Sequence, residues 1–304
     1  MSATPDLTII MVSYNTKDLT LAAIRTCLET TVETSFRMVV FDNASSDGSA
    51  DAIAAAFGGD ARVELVRSEE NLGFARANNV VAEGAGTEFL LLLNPDTECH
   101  AGAVDNLMRF ARETPQAGIW GGRTVFPDGS LNIASCWQRV SLWSTFCWAT
   151  GLSTVFKGSE LFNPEGMGGW QRNSVRQVDI VVGCFLLIPR ALWDELGGFD
   201  LKYFMYGEEA DLCLRAARMG YAPMITPEAE IMHIVGAAAD QRSDKRISVL
   251  RAKATLMRDH WPGWQVPLGL GLMWFSAGLR RLLGSGAVHR DVWVQRRVWL
   301  AGYG

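Results

Sequence analysis

Four short apolar runs alternate with helical stretches over the first hundred residues, and this alternation limits the fold more than any other feature. Leu7–Ser13 reads as a buried strand, and Asp18–Glu29 as a helix with Leu19, Ala22, Ala23 and Cys27 near one face. Arg37–Asp42 is a second strand, followed by a turn-rich loop and a helix over Ser49–Phe57. Val63–Arg67 and Glu88–Leu93 are further strands, with a helix at Phe74–Glu83 between them. Such a pattern predicts an α/β chain with a mostly parallel central sheet and helices on both faces. Ligands of such sheets sit beyond the carboxyl ends of the strands, so the loops after Ser13, Asp42 and Leu93 should share one rim.

The second half changes character. Trp137, Trp143 and Trp148 punctuate an aromatic stretch, and Gly158–Gly169 reads as a loop. Val178–Ile188 reads as a strand pair or one long bent strand, and Arg190–Leu196 as a short helix stopped by Gly197–Gly198. Glu208–Met219 is a helix ended by Gly220. Ala229–Ile234 is a short strand, and Ser243–His260 is a helix with Ile247, Leu250, Ala254 and Met257 on one stripe. No linker marks a boundary. The expected organisation is one domain over 1–264, divided near residue 100 into two halves, plus a helical appendage over 265–304.

A hydrophobic share of 48% with 20% charged residues suits a packed core. The net charge of −5 gives no support to a nucleic-acid partner. From Arg280 onward, however, five Arg stand against one Asp. Val266–Leu279 just before them is apolar but too short to span a bilayer, and it contains Pro267. Contact of 266–297 with an anionic membrane surface and packing against the domain are both open readings. Cys27, Cys99, Cys136, Cys147, Cys184 and Cys213 lie far apart with no C-x-x-C pair, which argues against a zinc site. No secretory signal is read at the start, so reduced thiols and a cytoplasmic location are expected, with a peripheral place on the inner membrane face as an extension.

Three segments carry candidate chemistry. FDNASSDGS (Phe41–Ser49) ends a strand in carboxylate, amide and hydroxyl groups that can read a base edge or ribose; the same residues also make a well-capped turn. FLLLLNPD (Phe89–Asp96) delivers Asn94 and Asp96 at a strand end, and one carboxylate there suits a hard divalent cation that also holds substrate phosphates. YGEEADLCLRAARMG (Tyr206–Gly220) puts Glu208, Glu209 and Asp211 in the first turn of a helix, where acids also complement the macrodipole. Spacing pairs Asp211 with Arg215 as a surface ion pair. Periodicity does not say whether Glu208 or Glu209 points into a site. His233 ends a short strand, with Gly236 behind it.

Taken in order, TIIMVSYN (Thr8–Asn15), VVFDNASSDGS (Val39–Ser49), NLGFARANN (Asn71–Asn79), LLLNPD (Leu91–Asp96), VGCFLLIPR (Val182–Arg190), GGFD (Gly197–Asp200), FMYGEEADLCLR (Phe204–Arg215) and MHIVG (Met232–Gly236) resemble the family 2 glycosyltransferases, notably bacterial rhamnosyltransferase-like members. The resemblance covers roughly Leu7 to His260. It implies a GT-A fold and inverting transfer from a nucleoside-diphosphate sugar to a hydroxyl of a glycan or lipid-linked acceptor, in polysaccharide or lipid-linked glycan assembly. By resemblance, Ser13, Tyr14, Asn15, Asp42, Asn43, Arg76 and Asn94 contact the nucleotide sugar. Asp96 and His233 hold Mg²⁺ or Mn²⁺, and Glu209, with Glu208 beside it, is the catalytic base. Trp137, Trp170 and Asp200 are the acceptor-facing candidates. The chain departs from the family pattern at Asn94, where many relatives carry Asp, and in its Glu-Glu pair, which is often Glu-Asp.

Rival readings fare worse. A sugar nucleotidyltransferase would show a Gly-rich basic loop after the first strand, where this chain has SYNTKD. No G-x-G-x-x-G follows any strand, so a dinucleotide oxidoreductase lacks support. A catalytically inactive nucleotide-sugar-binding or interaction module on the same fold is the remaining alternative.

Overall fold

The computed structural model describes residues 4–234, 242–284 and 286–304. Val235 and Gly236 of the MHIVG segment lie outside the described residues. The chain begins with β1 (Leu7–Ser13), α1 (Lys17–Thr30), β2 (Phe36–Asp42), α2 (Ser49–Phe57), β3 (Val63–Arg67), α3 (Gly73–Glu83) and β4 (Phe89–Leu93). It continues through β5 (Thr97–Cys99), α4 (Ala103–Glu113), β6 (Trp120–Val125), β7 (Leu131–Asn132), β8 (Cys136–Trp137), α5 (Leu142–Thr150) and α6 (Leu152–Val155). Next come β9 (Arg176–Gln177), β10 (Ile180–Val181), β11 (Phe185–Pro189), α7 (Arg190–Leu196), α8 (Glu208–Arg218) and β12 (Met224–His233). Helices α9 (Arg242–His260), α10 (Val266–Leu283), α11 (Ala287–Val294) and α12 (Arg296–Ala301) follow.

The central sheet runs β3-β2-β1-β4-β11-β6-β12-β5. Strands β1 to β4 are parallel to one another; β11 enters antiparallel between β4 and β6, and β12 lies parallel to β6. The chain steps outward from β1 to β3 and then returns to place β4 on the other side of β1. That reversal opens a crevice at the carboxyl ends of β1 and β4, where α/β sheets take ligands. Both faces are covered. Ile9, Met11, Met38 and Leu91 pack under α1 and α4, while Ile10, Val39, Phe41 and Leu92 pack under α3, α7 and α8. Burial on two sides explains why these strands are uninterrupted apolar runs rather than alternating ones.

Three elements differ from the sequence reading. Val178–Ile188 is neither a hairpin nor one strand: β10 pairs with β8 in a separate small sheet, and β11 joins the main one. The strand read at Ala229–Ile234 begins earlier, at Met224; Pro227 and two Glu interrupt its apolar pattern, and its pairing with β6 shifts register between Thr226 and Glu230. The Trp-punctuated stretch contains a helix, α5, whose start is closed by a reciprocal capping box between Ser141 and Ser144.

Strand β6 escapes detection because Gly121 and Gly122 dilute it, yet they are there for a packing reason. A Cβ on Gly122 would overlap the Ala229 carbonyl oxygen and come within 2.8 Å of the Phe185 ring. Gly122→Ala should therefore lower stability by about 1–3 kcal/mol, the usual cost of overfilling a packed interior, measured by urea unfolding. An unchanged midpoint would show that the bulge in β12 yields freely.

The helices after residue 242 form a cluster of their own. Ile247, Leu250 and Met257 of α9 pack with Met273, Ala277, Val292 and Trp299. This core straddles residue 264. No described helix is long and apolar enough to cross a membrane.

Candidate active site

The rim beyond β1 and β2 is built from turns that lock one another. Asn15 adopts φ 52°, and its side-chain oxygen accepts the Ser46 amide at 2.8 Å, while its own amide donates to the Ser45 hydroxyl. Asp47 accepts the amides of Lys17 and Ser49, which ties the start of α1 to the start of α2. Ser13 is fully buried, and its hydroxyl is shared with Thr16 and Thr20, so its side chain secures α1 from within. Asn43 is likewise internal: it accepts the Leu72 amide at 2.7 Å and donates to Asn71, bracing the turn into α3. Asp42 differs. One carboxylate oxygen accepts the Ser45 amide, and the other is buried with no partner at the end of β2. Tyr14 is exposed beside it.

Beyond this rim lies a cavity of about 310 Å³ lined by Glu70, Asn71, Arg76, Leu201, Tyr203 and Phe204 among others. Arg76 brings an exposed guanidinium to it from α3. Tyr203 and Phe204 arrive from the loop before α8, a juxtaposition that no periodicity signals. The only hint was that Phe204 opens the FMYGEEAD segment, with Tyr203 just before it.

At the end of β4, the Asn94 amide donates to the Cys184 carbonyl, and the Asn94 carbonyl accepts the Thr97 hydroxyl. Asp96 follows on the turn. The end of β12 lies alongside, with His233 in register with Thr97 and the Ile234 amide donating to the Asp96 carbonyl. His233 Nε2 lies 3.3 Å from Asp96 Oδ1, and its Nδ1 is buried without a partner. Burial opposes charge on this imidazole, but the Cys184 sulfur and the Asp96 carboxylate outweigh it, and its pKa is pushed up to about 10.

The acidic pair opens α8. Glu208 is buried, and burial together with the Glu209 charge pushes its carboxyl well above the usual range. Burial also raises Glu209. Each has one carboxylate oxygen that is buried and unpartnered. Their surroundings separate them. A Cβ on Gly183 would touch the Phe74 ring at 3.4 Å and lie 3.9 Å from Glu209 Cβ, so Glu209 sits against the residue next to Cys184. Contacts thus run from Asp96 through His233 and Cys184 to Gly183 and Glu209. The charges of both acids reach Tyr206, and that of Glu208 also reaches Tyr303.

Asp211, read as part of a surface ion pair, is buried. Its carboxylate accepts from Arg215 Nε at 2.7 Å and from His260 Nε2 at 2.8 Å, so it pins α8 to α9. The helical spacing was right, but α9 covers that face. Among the acceptor candidates, the Trp170 ring is met by the guanidiniums of Arg172 and Arg176, 5.1 and 4.9 Å from its centre. Trp137 pairs with Ile180 and packs near Tyr203 and Leu214, and Asp200 is engaged by Lys202.

The mostly parallel sheet with helices on both faces and C-terminal helices is a GT-A fold. The family model for glycosyl transferase family 2 matches residues 8–179. The chain belongs to that family. It is 29% identical over 219 residues to an N-acetylglucosaminyl-diphospho-decaprenol L-rhamnosyltransferase of Mycobacterium tuberculosis, covering 64% of this chain and 66% of that protein's length. It is 24% identical over 250 residues to the O-antigen biosynthesis protein RfbC of Myxococcus xanthus, of which it spans 18%. In structure it resembles a mannosyltransferase from Pyrobaculum calidifontis in complex with GDP-Man and Mn²⁺, with a TM-score of 0.59, 18% identity and coverage of 99% and 84% of the two chains. It also resembles S. aureus TarS in complex with UDP-GlcNAc, with a TM-score of 0.58, 14% identity and coverage of 96% and 79%.

Proposed function

We propose that the protein transfers a sugar, with inversion, from a nucleoside-diphosphate sugar to a hydroxyl of a lipid-linked or polysaccharide acceptor. The observation that carries this reading is the run of contacts linking Asp96 and His233 to Glu209 along the ends of β4, β12 and β11. Asp42 accepts from the nucleotide, and Arg76 meets its phosphates. Tyr14, Asn15 and Asn94 flank the donor, while Ser13 and Asn43 act from inside by holding the rim. Residues 7–100 bind the donor, and 101–264 provide the acceptor side.

Asp96 and His233 would hold a divalent cation, with the proton that the raised pKa keeps on the imidazole released as the ion binds. Their facing atoms are 3.3 Å apart, so both would reach one ion. A nitrogen donor favours Mn²⁺ over Mg²⁺, which holds oxygen ligands more strongly. When bound, such a cation offsets the charge that develops on the departing diphosphate. The remaining steps belong to the chain. Glu209 accepts the acceptor hydroxyl's proton as that oxygen attacks the anomeric carbon and the bond to the diphosphate breaks. Incubation with a panel of nucleoside-diphosphate sugars and Mn²⁺ tests the reading. Release of one nucleoside diphosphate is expected, and no release from any donor, with or without acceptor lipid, would refute it.

The C-terminal helices support contact with a membrane surface. The outward side of α10 exposes Leu268, Trp274, Phe275 and Leu282, and α5 beside it exposes Trp143 and Phe146. Aromatic side chains favour the headgroup region, and exposed Arg281, Arg290 and Arg297 suit anionic lipid. Truncation would strip α9 of its packing, so point changes give the cleaner test. The protein should sediment with phosphatidylglycerol vesicles, and Trp274→Asp with Phe275→Asp should release most of it. Equal binding to neutral and anionic vesicles, or none, would remove this role.

A further inference from the structure

Two consecutive residues in the left-handed region lead into the acidic pair: Tyr206 at φ 65° and Gly207 at φ 96°. Glycine accepts that conformation, but tyrosine does so only where its surroundings enforce it. The restraint comes from two sources. From α9, Asp259 accepts the Tyr203 hydroxyl at 2.7 Å and pairs with Lys202 at 2.8 Å. A Cβ on Gly207 would meet Tyr203 and Ala252 at 3.0 and 3.1 Å, so the turn lies directly on that helix.

The second source is Tyr303, beyond α12. Its hydroxyl donates to the Met205 carbonyl at 2.7 Å, the peptide that feeds Tyr206. Its ring meets Tyr203 edge-on at 6.1 Å. Tyr303 is itself held firmly. Its amide donates to the Thr255 hydroxyl, and the Arg251 guanidinium lies 4.5 Å from its ring centre while Arg251 Nε donates to the Gly302 carbonyl. Gly302, at φ 76°, brings the chain so close to α9 that a Cβ would lie 2.8 Å from Thr255 Oγ1. The C-terminal segment thus reaches back across α9 to fix a single peptide plane just ahead of Glu208 and Glu209.

We propose that Tyr303 is a positioning residue for the acidic pair, acting through the strained Tyr206–Gly207 turn. The inference rests on the reading of Glu209 as the base. The hydroxyl bond sets the Met205 peptide, that peptide sets the backbone of Tyr206, and the turn sets where α8 begins. Catalysis is sensitive to such geometry, since a misplacement of about 1 Å can cost about a hundredfold.

Tyr303→Phe tests this in the full chain, because it retains the ring, its contact with Tyr203 and the Arg251 interaction while removing only the hydroxyl. Turnover should fall about tenfold, with the Michaelis constant for the donor unchanged within about twofold. Hydrogen exchange of the amides at 206–209 should quicken about tenfold, while those of β1 and β4 stay as they were. Unchanged exchange would overturn the proposal, as would faster exchange with normal turnover or a loss confined to donor affinity. Glu209→Gln measured alongside separates the two readings. If that variant turns over normally, the base assignment fails, and the exchange rates at 206–209 still report on the tyrosine contact.

Discussion

Glu209→Gln should reduce turnover at least about a hundredfold while leaving donor affinity nearly intact. Gln is close to isosteric but takes no proton, and general-base assistance is typically worth about 10²–10⁴-fold. Donor affinity should persist because the proposed nucleotide contacts, Asp42 at the end of β2 and Arg76 in the first turn of α3, are untouched. The same carboxylate should control the acid side of the pH profile. Burial raises Glu209, and a base works only when ionised. Activity should therefore be lost as pH falls through a value above the ordinary carboxylate range, and be complete above it. Glu208→Gln should be milder, since it is Glu209 that lies against Gly183, next to Cys184. Stopped single-turnover assays across pH would decide. Near-normal turnover in Glu209→Gln, or a larger loss in Glu208→Gln, would move the role to its neighbour.

Asp96→Ala should have the second large effect. It removes the carboxylate that faces His233 at 3.3 Å and leaves the imidazole without its partner. Calorimetry should show Mn²⁺-dependent donor binding weakened by about 10–100-fold or more, and turnover reduced by about 10²–10³-fold. Without metal, the native protein and the variant should bind the donor about equally weakly. Equal affinity with and without Mn²⁺ in the native protein would dissolve the metal assignment. His233→Ala should parallel Asp96→Ala, because the two side chains converge from β12 and from the turn after β4. A loss in one variant only would show that they do not act on one ion.

Much of the donor half was legible in the sequence. Uninterrupted apolar strands, turn residues at their ends and helical stripes between them are local signals, and β1 to β4 with α1 to α3 follow them closely. Asp42 and Asp96 were legible as polar groups at the ends of apolar strands, where the same residues also make turns, and His233 drew its role from the family resemblance. The other half was harder to read. Strand β6 is built on glycines chosen by neighbours distant in sequence, and β12 runs through a proline and a shift of register. Which side chains are free was also hidden. Ser13 and Asn43 carry the right chemistry in the right loops, yet their hydrogen-bonding groups are taken up by Thr16, Thr20, Asn71 and Leu72.

What the sequence alone determined is the class of sheet, the rim at the ends of its strands and the residue types offered there, since these follow from period and composition within short windows. Only the tertiary structure decided which of two adjacent glutamates lies beside Gly183, that Asp211 is covered by α9, and that Tyr303 braces the turn before α8. Those outcomes depend on contacts between segments far apart in the chain. Helical spacing gives each side chain's direction about its own axis, but not the element it will meet there.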